Sequence, residues 1–136
     1  MNRYPYTKTK SNIFEVVSRP LITIKIFSQT KNIWIPVYDT LADTGADISI
    51  IPAYLGRLVV GDITKSREIK IRGIVPYSEL IAYIHNLRIE IAKKEIESPI
   101  AIADSDKIIP ILGRVKGIDL FEFTYYKGKE VIIKNQ

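Results

Sequence analysis

Asp43-Thr44-Gly45-Ala46-Asp47 follows directly on the alternating apolar segment Ile33 to Leu41 and carries the most chemically telling residues of this chain. An acid on a tight glycine-containing turn at the end of a strand can be pressed against a symmetry-related copy of itself. Two carboxylates at that separation cannot both ionise. They share a proton, so one becomes an acid and the other a base. The motif occurs once in 136 residues, so the second acid must come from elsewhere, and a second copy of the chain on a two-fold axis is the obvious source.

Other chemistries find little support. Cysteine is absent, which removes disulfides, thiolate catalysis and thiolate metal sites. His85, the sole histidine, has no partner constellation for a triad or a metal and reads as structural. Asp104 and Asp106 are spaced like ligands of a hard cation, but one short acidic turn supplies too few oxygens, so a solvated loop is expected. No metal and no cofactor are predicted. The net charge of +5 is spread among acids along the chain, whereas a nucleic-acid binder needs a clustered basic face.

These residues need a scaffold. With 46% hydrophobic and 26% charged residues the composition is that of a globular domain, and a chain of this length buries roughly two thirds of its unfolded surface. Ile22, Ile24 and Ile26 alternate with Thr23 and Lys25, the period of a half-buried strand. Ile33, Ile35 and Val37 continue the alternation after a polar turn, with Pro36 marking an edge or a bulge. Ile48 to Ile51 reads as a short buried strand stopped by Pro52. Ile69 to Pro76 and Leu87 to Ile91 predict a second long hairpin with its tip near Gly73 to Ser78. Short apolar runs at Pro99 to Ala103 and Ile108 to Leu112 follow. Val115 to Leu120 predicts a helical turn or two, and a closing hairpin surrounds Lys127-Gly128-Lys129. Trp34, Phe121 and Phe123 read as core or interface aromatics. Strands at short spacing with hardly any helical periodicity predict an all-β, closed barrel-like domain.

Residues 1–14 form a basic arm, loose or ordered on assembly, and residues 15–136 form the domain. No apolar stretch follows Arg3, Lys8 and Lys10, so no signal peptide is expected. No run approaches a membrane span, and a cytoplasmic protein without membrane or nucleic-acid partners is the expectation.

Three features in order carry a family resemblance. Leu41 to Ile50, containing Asp43-Thr44-Gly45-Ala46-Asp47, resembles the catalytic loop of the retropepsins, the single-domain aspartic peptidases. Ile71-Arg72-Gly73-Ile74 resembles the tip of their substrate-covering flap. Ile111-Leu112-Gly113-Arg114 resembles the Gly-Arg element that leads into their only helix. The likeness spans roughly Leu21 to Lys134, and the long stretch between flap and Leu112 fits the cellular branch. Val75 and Pro76 depart from the usual glycine-rich flap tip, and Val115 stands where many members carry Asp or Asn.

The resemblance implies a homodimeric acid-protease fold with one short helix near the C-terminus and an extended peptide as substrate. It implies Asp43 as the catalytic acid, Thr44 as the residue reaching across the two-fold, and Gly45 as the close-approach position that donates its N–H to the acid. Ala46, Asp47, Gly73, Ile74 and Val75 would line the substrate. Asp47 would also pair with Arg114, after Gly113, as a brace held by two bonds at once. The rival reading is a catalytically inactive dimeric domain that binds peptides through the same cleft.

Overall fold

The computed structural model describes residues 2–73 and 78–134. Its strands are β1 (Asn2–Pro5), β2 (Thr7–Ser11), β3 (Glu15–Arg19), β4 (Leu21–Ser28), β5 (Ile33–Ala42), β6 (Ser49–Ile51), β7 (Arg67–Arg72), β8 (Glu79–Ile91), β9 (Lys94–Ala103), β10 (Ile111–Leu112), β11 (Glu122–Tyr126) and β12 (Glu130–Lys134), with helix α1 (Ala53–Val60) after β6.

The alternating isoleucines of β4 point inward, where Ile22, Ile24 and Ile26 are buried. Hydrogen bonding runs in the order β4-β5-β10-β6-β9-β8 and returns to β4, closing a six-stranded barrel. The closing pairs are Lys25 with Glu90 and Ile26 with Ile89. Ile26, Ile89, Ile91, Ile102 and Leu112 fill the core and have no exposed surface, each burial favouring the fold by about 1.5–3 kcal/mol. Strand β7 extends beyond the barrel as the outer half of a hairpin with β8.

Pro36 lies where β4 is β5's only neighbour, since β10 reaches no further than Leu41 and Ala42. The edge position expected for a proline is therefore met. The bulge falls nearby, at Tyr38 and Asp39, where the β4–β5 register shifts and Asp39 adopts a φ of 54°.

The expected helix near the C-terminus is only a 3-10 turn at Ile118–Leu120. Among the described residues the α-helix is α1, straight after the strand that follows the acid motif. Leu55 and Val59 join the barrel core. Gly56 lets the helix settle on β9, because a Cβ there would stand 2.2 Å from Ile102 Cγ2. Pro52 offers no side-chain cap, and the acidic turn serves instead. Asp106 Oδ1 accepts the Tyr54 N–H at 2.9 Å and the Ser105 carbonyl accepts the Ala53 N–H at 3.0 Å. Asp106 is thus a helix cap from a distant segment rather than part of a merely solvated loop.

The N-terminal arm is not loose. Strand β1 pairs with β12, which pairs with β11, in a second, three-stranded sheet. Strands β2 and β3 form a separate hairpin with exposed Ile13 and Phe14 at its tip.

Candidate active site

The site grows from the threading of β10 between β5 and β6. Strand β10 runs parallel to β5 and antiparallel to β6, so the connection from Asp43 to Ile48 must loop over the segment that follows β10. Backbone bonds fasten it there. The Asp43 N–H donates to the Leu112 carbonyl at 3.0 Å, the Arg114 N–H to Ala46 at 2.9 Å, and the Val115 N–H to Asp47 at 2.9 Å. The Gly113 N–H donates to the buried Ser49 Oγ at 2.9 Å.

Gly113 is required by contact. A Cβ there would lie 2.5 Å from the Ile48 carbonyl carbon and 2.6 Å from its oxygen. The Gly-Arg element therefore holds the acid loop chiefly through glycine's missing side chain and its neighbours' amides.

Asp43 is half-buried as a residue. Asp43 Oδ1 accepts the Gly45 N–H at 2.8 Å, and the Ala46 N–H closes the turn onto the Asp43 carbonyl at 3.2 Å. A Cβ on Gly45 would come within 3.2 Å of Oδ1, so the amide approaches the acid closely only because no side chain intervenes. Thr44 and Gly45 are exposed on the crest of the loop, with Ala46 half-buried beneath.

Asp47 and Arg114 meet, but not as a two-bond pair. Arg114 Nη1 stands 3.7 Å from Asp47 Oδ1, and Nη2 stands 3.5 Å from Asp119 Oδ2. Asp47 is 87% exposed. The physical reason is competition: the Asp119 N–H donates to the Arg114 carbonyl at 3.0 Å, which draws a second carboxylate to the same guanidinium. A loose, exposed, shared pair of this kind contributes little.

Gly73 ends the descent of β7, where its N–H donates to the Ser78 carbonyl at 3.0 Å. Ile74 and Val75 lie outside the described residues. The hairpin and the acid loop share an apolar layer in which Ile48, Ile69, Ile71, Leu80 and Ile111 pack around Ile50, Ala82, Ala101 and Ala103. His85 Nε2 stands 2.8 Å from the Ile63 carbonyl on the barrel wall, a structural role. Among the described residues no group of three or more His, Asp or Glu could hold a metal, and no described helix is long and apolar enough to cross a membrane.

Two contacts of the loop escape sequence reasoning. Ser49 looks like an ordinary strand residue, and its buried hydroxyl is the acceptor for Gly113. Tyr125 comes from β11, outside the barrel, yet its hydroxyl donates to the Ala42 carbonyl at 3.1 Å. Neither has a local signal, because each depends on pairing between segments far apart in sequence.

No protein-family model matches this chain, and no curated protein matches it. Function must therefore be argued from the residues and their geometry.

Proposed function

We propose that this chain is an aspartic endopeptidase of the retropepsin type, acting without cofactor on extended peptides as a homodimer with one shared site. The observation that carries the reading is the Asp43 carboxyl. It belongs to a half-buried residue, has one oxygen held by the Gly45 amide, and sits on a loop pinned at both ends by β10 and the residues after it. A fixed acid needs little reorganisation when charge moves in the reaction.

In this reading two Asp43 carboxyls face each other across the two-fold and share one proton. The ionised one takes a proton from a water held between them, and the water oxygen attacks the peptide carbonyl carbon. The protonated one donates to the carbonyl oxygen, so base and acid act together. Collapse of the tetrahedral intermediate breaks the C–N bond: the Asp43 that took the water's proton gives it to the departing nitrogen, and the other Asp43 takes a proton back from a gem-diol hydroxyl as the new carboxyl group forms, which restores the shared-proton pair. Thr44, exposed on the crest, is available to the partner loop. The β7–β8 hairpins would close over a substrate lying as an added strand, with Ala46 and Asp47 along its path and Gly73 above it.

The test is digestion of a denatured protein across mildly acid pH by the parent and by Asp43→Asn. The proposal expects cleavage by the parent and none by the variant, with the variant's dimer intact by sedimentation. Equal cleavage by both would remove the mechanism. Peptide binding without turnover, indifferent to Asp43→Asn, would replace it with the non-catalytic reading.

A further inference from the structure

The carbonyl just before the acid has lost its natural partner. In the β4–β5 ladder Leu21 faces Leu41 and Ile22 faces Thr40, so the next pair in register is Pro20 with Ala42. The Ala42 N–H donates to the Pro20 carbonyl at 3.1 Å, which marks the pair as one that would exchange two bonds in an antiparallel ladder. The return bond needs an N–H on residue 20, and proline has none. Ala42 is only 3% exposed, so its carbonyl cannot turn to water for compensation. The donor arrives from another sheet: the Tyr125 hydroxyl, at 3.1 Å.

We infer that Tyr125 is a positioning residue for Asp43, its hydroxyl standing in for the ladder donor that Pro20 lacks and fixing the peptide unit from which the acid hangs. That unit is then held at both ends, its carbonyl by Tyr125 and its N–H by the Leu112 carbonyl at 3.0 Å. Rotation of this peptide would swing the carboxyl away from the Gly45 amide. The phenol suits a permanent donor. Burial, with smaller contributions from Tyr6 and from Asp43 itself, pushes its pKa from 10.0 to about 12, so it keeps its proton wherever a carboxyl pair could work. Tyr6 follows β1, and its N–H donates to the Lys129 carbonyl at 2.9 Å. The terminal sheet and the N-terminal arm thereby form the underside support of the acid loop.

The inference deepens the peptidase reading and, for its catalytic consequence, rests on it. Its test compares the parent, Asp43→Asn, Tyr125→Phe, Pro20→Ala, and the double variant Tyr125→Phe with Pro20→Ala, at equal folded fraction. In the double variant a restored backbone N–H at position 20 can take over the vacant carbonyl. Two readouts are followed: amide hydrogen exchange at Asp43 and Gly45 by NMR, and kcat, KM and the pH profile of cleavage. Tyr125→Phe is expected to speed Asp43 amide exchange about tenfold and to lower kcat about tenfold with KM within about twofold, since a small misplacement of a reacting group is felt in the chemical step. Pro20→Ala alone changes little, and in the double variant it restores most of each loss.

Unchanged exchange in Tyr125→Phe, or no recovery in the double variant, overturns the inference. If the parent cleaves and Asp43→Asn does not, while Tyr125→Phe matches the parent in kcat and pH profile, the positioning role fails and the peptidase reading survives. If nothing cleaves but the exchange pattern holds, the peptidase reading fails and the structural assignment of Tyr125 stands.

Discussion

Replacing Gly113 by alanine drives a methyl group into the backbone of the acid loop. The new Cβ would lie 2.5 Å from the Ile48 carbonyl carbon, 2.6 Å from the Ile48 oxygen and 2.9 Å from the Ser49 nitrogen. Carbon atoms in good contact stand about 3.5–4.0 Å apart, so the loop or the segment after β10 must retreat by about 1 Å. Both partners are backbone, and no side-chain rotation can absorb the overlap. Overpacking of this kind costs about 1–3 kcal/mol. A retreat also stretches the 2.9 Å bond from the Gly113 N–H to the buried Ser49 Oγ, adding about 1 kcal/mol. The combined loss is about 2–4 kcal/mol, which for a domain of this size lowers Tm by roughly 6–15 °C. Gly73→Ala is the internal control. Among the described residues its Cβ would come no closer than 3.4 Å, to the Ser78 side-chain Oγ, so its effect should stay within about 0.5 kcal/mol. Thermal melts by circular dichroism at matched concentration measure both, because any self-association would make Tm depend on concentration. A Gly113→Ala protein melting within about 2 °C of the parent would show that the acid loop does not rest on this glycine.

Four further outcomes follow from the same contacts. Asp43→Asn should abolish digestion of a denatured protein while leaving the circular dichroism melt close to the parent's. Arg114→Ala should cost less than about 1 kcal/mol in urea unfolding, because its two ion pairs are long and exposed while its amide remains to hold Ala46. Asp106→Ala removes the acceptor for the Tyr54 N–H and should destabilise the fold by about 1 kcal/mol, read as a lower urea midpoint at unchanged slope. The Tyr125 phenol holds its proton more tightly in the folded chain than in the unfolded one. That stabilisation is therefore complete below pH 10.0 and lost as pH rises toward about 12. Tyr125→Phe should flatten this alkaline loss in Tm, leaving the parts contributed by Tyr4 and Tyr83, whose pKa values are also raised.

The barrel was legible because β4 and the second half of β8 bury one face each, and a period of two survives there in Ile22, Ile24 and Ile26 and in Leu87, Ile89 and Ile91. Helix α1 was not, because Ala53 to Val60 is short, holds a glycine and ends in two β-branched residues, all unfavourable to helix in isolation. What makes it a helix is tertiary: Gly56 against Ile102, and caps brought by Ser105 and Asp106. The predicted helix at Val115 to Leu120 shrank to a 3-10 turn because its amides are committed elsewhere. Those of Val115 and Ile118 bond back to Asp47 and Gly113. The arm at the N-terminus looked unstructured since Asn2 to Pro5 has no apolar alternation, yet β12 offers it an edge to pair with.

The acid loop shows the same division. Its turn chemistry is local, so the Gly45 amide on Asp43 could be anticipated from three consecutive residues. The two-bond Asp47–Arg114 brace could not be corrected from sequence, because the intruding Asp119 is positioned by a backbone bond to Arg114 itself. Tyr125 was invisible for a related reason: Pro20 and Ala42 reveal a missing donor only after their register is known.

In the proposed function two Asp43 carboxyls meet in one site. Calorimetric titration of the parent with a peptide bearing a hydroxyl-containing tetrahedral isostere measures this directly, as the number of ligands bound per chain. One ligand for every two chains, with binding lost in Asp43→Asn, is the predicted result. One ligand per chain, or equal binding by the variant, contradicts it.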